Sequence, residues 1–384
     1  MAQGGHERPE ARAVVIRVSA PALLFLASMG LGLAKGGKHS DRFPIQVYGG
    51  HGFDRKWGYM DRTGKVVVKP QFDTAESFSC GLALVKVDGS YRYINAAGNF
   101  AFGGWFKEAT GYSEGAASVV IRDSKGADGW GVIGKTCETL FQSRSGAPVV
   151  FSEGLAWFGN GDLGIGAIDH SGDTVIRPIA GARTRPFSEG LAHVSFGRRN
   201  GFLDKAGHIV IKPQFDWVAD FHEGLAYFMN EGSPQDRWGY INKTGKVVIK
   251  PQFEKAGDFS EGLAPVMIGG KWGYINRAGK VVIAPQFAEA RGFSEGLAVV
   301  SGVDNSPLYG YIDSRGATAI VPQFGRAGDF SDGLAQVSIG DKPRGRYGRD
   351  DAERWLIERG GRPQPQYGDI YRSGYIDKTG KYVW

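Results

Sequence analysis

From residue 43 onward, apolar and polar positions alternate in short runs that are repeatedly cut by glycine, proline, aspartate or asparagine. Three such runs follow one another at 224–229, 238–242 and 247–249. Aromatic and β-branched residues dominate them, and no apolar stretch is long enough to need a helix, so the pattern predicts strands. Period-two alternation places Trp238 and Tyr240 on one face of their strand and Gly239 and Ile241 on the other. A glycine at that position reads as a side chain removed so that something can pack close.

The same order of elements returns about every 35 residues. Following the second residue of the Trp-Gly pair gives Gly58, Arg92, Gly131, Gly166, Gly201, Gly239, Gly273, Gly310 and Gly374, in steps of 34 to 39 with a last step of 64. The long step marks an insertion at 341–372, in which Asp350-Asp351 and the following residues up to Gly360 predict one short helix. A fixed period of this size signals one structural unit stacked on its neighbours. Within each unit, Asp or Asn (Asp61, Asn242, Asn276) opens a turn and glycine (Gly64, Gly245, Gly279) closes it three residues later, which predicts a β-hairpin. Pro70, Pro213, Pro251, Pro285 and Pro322, each followed by Gln-Phe, are expected to stop the third strand, because proline cannot donate to a ladder.

With 384 residues, 42% hydrophobic content, 60 glycines and 17 prolines, the chain is too apolar for disorder and too glycine-rich for a helical protein. Residues 1–34 differ: Arg8, Arg12 and Arg17 precede an apolar stretch and then Gly32-Leu33-Ala34, the pattern of a secretory signal peptide. Membrane attachment is expected only if that segment is retained. Cys80 and Cys137 occupy different repeat positions, which favours two unpaired thiols. A net charge of +6 over this length does not indicate nucleic acid.

Two Gly-x-Ser-x-Gly matches, at 111–115 and 292–296, belong to the recurring Phe-Ser-Glu-Gly element and precede a strand, whereas a nucleophile elbow precedes a helix. The Gly-x-Gly-x-x-Gly match at 159–164 likewise leads into a strand. His170, His193, His208 and His222 lack metal-ligand spacing and are expected to be neutral surface groups. The acid column Glu114, Glu153, Glu189, Glu223, Glu261, Glu295 and Asp332 suits turn stabilisation better than calcium. No catalytic residue, metal site or cofactor is expected. Two repeated positions form the candidate binding surface. Trp57, Trp130, Trp238, Trp272 and Tyr309 share one column, in which Asn200 and Ser373 also appear, and Lys65, Lys246 and Lys280 share another. Aromatic faces suit sugars, and aligned lysines suit an anionic polymer.

The segments Arg237-Trp238-Gly239-Tyr240-Ile241-Asn242 and Lys271-Trp272-Gly273-Tyr274-Ile275-Asn276, with their Pro-Gln-Phe and Phe-Ser-Glu-Gly-Leu-Ala elements, resemble the bacterial WG-repeat (KWG-repeat) family. The resemblance implies an all-β repeat array, frequent in exported or envelope proteins. Copies around Arg92, Gly166 and Gly201 depart from the Trp-Gly pair. The expectation is therefore an all-β array over 35–384 of about nine three-stranded antiparallel units. An open β-solenoid is favoured because each terminus carries a complete unit, with a closed propeller-like ring as the alternative. The expected function is an exported (periplasmic, cell-surface or secreted) non-catalytic module binding an envelope polysaccharide or protein. A structural scaffold without a small ligand is the second reading, and an enzyme the third.

Overall fold

The computed structural model describes residues 41–48, 55–122, 126–142, 147–160, 164–232, 237–303, 306–339 and 372–384. The leader expected at 1–34 and the helix expected within 341–372 lie outside them.

The described residues form nine separate antiparallel sheets and no α-helix. The seventh shows the full pattern: Lys255–Ala256, Leu263–Ile268, Lys271–Asn276 and Val281–Phe287 pair in that order. The last three are the strands read from the sequence. The first is a short lead strand in what the sequence presents as a connection. The Asn276 turn forms as expected, with Gly279 at φ 79° donating its N–H to Asn276 O at 2.9 Å.

Proline does not end the valine-rich strand. Val281–Phe287 runs through Pro285 to a second anchor, with Trp272 paired to Phe287 and Tyr274 to Ile283 and a bulge between. The missing N–H costs nothing on an edge strand with a bulge. Gly273 lies beneath that bulge, where an added Cβ would be 2.6 Å from Ile283 O and 2.7 Å from Pro285 N. The Trp-Gly and Pro-Gln-Phe motifs therefore recur together because they face each other across one irregular ladder.

The apolar core lies between sheets. Tyr240, Ile249 and Phe253 of the sixth sheet pack with Phe259, Ala264, Val266 and Ile275 of the seventh. Tyr274, Ile283 and Phe287 repeat this against Phe293, Ala298 and Val300 of the eighth. Three polar or close-packing devices recur at the boundaries, the first of them only where the blade carries tyrosine. The Tyr240 hydroxyl donates to Gly257 O at 2.8 Å and Tyr274 to Arg291 O at 2.7 Å, each crossing to the next sheet. The turn glycine seats on the preceding sheet, Gly279 against Ile249 and Gly316 against Ile283. An acid in one sheet meets a basic residue of the next, as Glu189 meets Lys243 at 3.1 Å.

The favoured open solenoid is corrected by the contacts between the first and ninth sheets. Tyr375 donates to Pro44 O at 3.0 Å, and its ring centroid lies 5.6 Å from that of Phe43. Gly64 closes on Val383 O. Arg62 meets Asp332 at 3.3 Å. Phe43, Ile45, Met60, Leu334 and Tyr375 form one buried cluster. The fold is a nine-bladed β-propeller. The argument from complete terminal units fails because, among the described residues, neighbouring sheets share no strand at any boundary and meet by packing instead. The seam reuses those contacts and needs no shared strand.

Candidate functional site

The Phe-Ser-Glu-Gly element makes the hairpin between lead strand and Gly-Leu-Ala strand, and its acid adopts positive φ, 51° to 55° at Glu114, Glu153, Glu189, Glu223, Glu261, Glu295 and Asp332. Cys80 and Cys137 also sit at positive φ, and both are free thiols. Five of these serines donate to the phenylalanine carbonyl of the next blade's hairpin, among them Ser152 to Phe187 O, Ser188 to Phe221 O and Ser294 to Phe330 O, all at 2.7 Å. The six glutamates accept the next hairpin's glycine N–H, as Glu153 does from Gly190 and Glu189 from Gly224, both at 2.8 Å, while Asp332 meets Arg62. The expected turn-stabilising role of this column is thus exercised between blades. Lys205, Lys243, Arg277 and Lys378 complete it by pairing with Glu153, Glu189, Glu223 and Glu295. These residues follow the turn-opening Asp or Asn directly, a column the sequence carries and the candidate list missed.

The predicted Lys65, Lys246 and Lys280 are exposed, and their backbone N–H groups donate to Asp61, Asn242 and Asn276 side chains. Trp57, Trp130, Trp238, Trp272 and Tyr309 are half-buried, one on each of five blades, so the structure does not bring them together. Trp238 packs at 4.9 Å from Trp217 and 5.5 Å from Tyr227, ring centre to ring centre. The Tyr309 hydroxyl donates to Glu289 at 2.7 Å, and burial with that carboxylate pushes its pKa up to about 12.

The fifth blade differs. Asn200 stands in the tryptophan column on strand Arg199–Asp204, paired with Phe215. Its Nδ2 donates to Phe215 O at 3.1 Å and Asp216 O at 2.8 Å, pinning the crossing into the sixth blade. Beside it opens a cleft of about 470 Å³, lined by Arg183, Arg185, His193 and Arg198 and closed at one side by Asp216 and Trp217. That volume is within the range of small-molecule pockets.

His193, on strand Leu191–Phe196, is 5% exposed, which corrects its reading as a surface group. Its Nε2 lies 2.8 Å from Asn200 Oδ1, while Nδ1 is buried with no partner. Burial, helped by Arg185, holds its pKa down at about 4. Thr184 Oγ1 is a second buried atom on this lining without a partner. Arg185 pairs with Asp220 at 3.5 Å and lies 5.8 Å from the Trp217 ring centre. Asp216 is held by Arg199 at 3.1 Å and by the Glu231 N–H at 3.0 Å. Among the described residues, no three His, Cys, Asp or Glu side chains converge as a metal site. Asn200 was visible as a departure from the column; His193 was not, because its burial arises from pairing between strands.

Residues 57–91, 201–232, 238–272, 272–305 and 309–342 match the family described as WG containing repeat. No curated protein matches the chain. Among solved structures, the computationally designed Ika8 protein is 12% identical at a TM-score of 0.38, over 69% of this chain and 92% of that one. BamB from Moraxella catarrhalis is 10% identical at 0.37, over 69% and 87%. Apo AztD from Citrobacter koseri is 14% identical at 0.35, over 67% and 88%.

Proposed function

Taking the chain as a WG-repeat protein, we propose that it is an exported, non-catalytic interaction module that recognises an envelope polysaccharide or protein. One observation carries this reading: the cleft beside Asn200 opens where the repeat gives up its tryptophan, and two buried polar atoms on its lining, His193 Nδ1 and Thr184 Oγ1, have no partner in the protein. Buried polar atoms left unpaired are costly, so a site that keeps them is suited to a ligand that satisfies them. The serine and acid columns, the nearest approach to catalytic side chains in the sequence, are engaged in blade-to-blade bonds. Those bonds also favour the second reading, a scaffold whose repeat-register groups serve assembly alone.

Binding on a glycan array and sedimentation with isolated cell wall, run beside a pull-down with purified envelope proteins, separate the two. Retention of a glycan or protein, lost when Asn200 is replaced by the tryptophan of the other blades, supports the module. A folded chain that retains neither leaves the scaffold.

A further inference from the structure

The hydrogen-bonding inventory of the fifth-blade cleft specifies a ligand. Asn200 Nδ2 faces three backbone carbonyls, those of Arg198, Phe215 and Asp216, and is committed as donor, so its Oδ1 is the acceptor facing His193 Nε2. Nε2 therefore carries the ring hydrogen. With burial keeping the ring neutral at pH 7, Nδ1 is left as a bare acceptor. A hydroxyl is the group that satisfies it, since a fully deprotonated anion has nothing to donate.

Charge supplies the other half. Arg183 and Arg198 line the cleft, are exposed, and have no acidic partner among the described residues. The acids of the lining do not cancel them equally: Asp216 is held by Arg199, and Glu231 is exposed. Trp217, 37% exposed and stacked on Tyr227 at 5.3 Å, adds a rigid apolar edge. Arginine is the side chain suited to carboxylate and phosphate, and an aromatic edge suits a sugar ring.

We propose that this cleft binds an acidic sugar, a hydroxylated anion whose carboxylate or phosphate meets Arg183 and Arg198 and whose hydroxyl donates to His193 Nδ1 as the side chains over that buried nitrogen move apart. The proposal rests on the interaction-module reading and narrows it to one site and one ligand class.

The test is titration calorimetry on the full chain with glucuronate, glucose 6-phosphate, glucose and inorganic sulfate, an oxyanion with no O–H at pH 7. Glucuronate or glucose 6-phosphate is expected to bind at least tenfold more tightly than glucose or sulfate, and the stronger of the two identifies the acid. Arg183→Gln with Arg198→Gln, both on exposed positions, should weaken that binding at least tenfold and flatten its salt dependence, and Asn200→Trp should abolish it. Equal binding of sulfate and sugar phosphate overturns the hydroxyl's role. Acidic-sugar binding that survives the double glutamine variant overturns the site. A chain that retains cell wall or a protein partner but no acidic sugar also overturns it while leaving the module standing, and a chain that retains nothing removes both.

Discussion

Gly273 shows how little room a repeat position leaves. An alanine methyl there would press on Ile283 O and Pro285 N, backbone atoms of the bulge that have no easy way to move aside. Gly273→Ala is expected to cost about 1–3 kcal/mol, read as a lower midpoint in urea. An unchanged midpoint would show that the bulge is free to lift. This glycine was legible as a close approach, because alternation put it opposite a tryptophan on a strand. What approached it was not legible. The Pro-Gln-Phe segment reads as a strand stop, since proline argues against a ladder until its partner strand is known to be an edge with a bulge. His193 fails for a related reason: one histidine in an alternating run does not reveal that Asn200 lies across the ladder two residues from its own partner, Phe202.

At the level of the hairpin, the acid column works through a neighbour one repeat away. Removing the Glu189 carboxylate frees the Gly224 N–H and leaves Lys243 only its bond to the Glu189 backbone carbonyl. Glu189→Ala should lower stability by about 1 kcal/mol, since the pair is partly solvent-exposed. The sharper readout is faster hydrogen exchange at the Gly224 amide, with amides of distant blades unchanged. The sixth hairpin carries His222 where most copies carry serine, and its Nδ1 lies 3.2 Å from Asp258 Oδ1 of the next blade. The Asp258 carboxylate beside it raises the His222 pKa against the opposing effect of burial, and the nearby Asp220 adds to the rise. A raised folded pKa means that the stabilisation is complete below the unfolded value of about 6.5 and is lost as pH rises through the folded value. The urea-midpoint advantage of the wild type over His222→Ser should therefore shrink as pH rises above about 6.5. An advantage that grows over that range would reverse the assignment. His193 acts in the opposite sense: its depressed pKa makes stability rise with pH between about 4 and about 6.5. The turn and strand elements were readable from period and composition. Their partners across blade boundaries were not, because sequence separations near 35 carry no local signal.

For the whole molecule, the count of units was legible and the closure was not. Nine complete units fit a stacked column as well as a ring, and the choice depends on the angle between neighbours. That angle is set by how Tyr240, Phe259 and their equivalents wedge together, a three-dimensional quantity absent from the period. A ring of this size gives a radius of gyration of about 20 Å, and an open array a clearly larger one, so small-angle scattering checks the closure directly. Combining Arg62→Ala with Tyr375→Phe removes the ion pair and the hydroxyl bond between the first and ninth blades. The double variant is expected to enlarge that radius or to expose the terminal blades to protease before the others. A compact, resistant variant would mean that the apolar cluster alone holds the ring.

A join made by abutment treats the two chain ends as it treats any interior junction. Because no blade of the described residues is stitched from both ends, the ring can be cut at a different junction and its old ends linked, or a whole module copied or dropped, without re-pairing a single described strand. What changes is the circumference and, with it, the width of the opening at the centre.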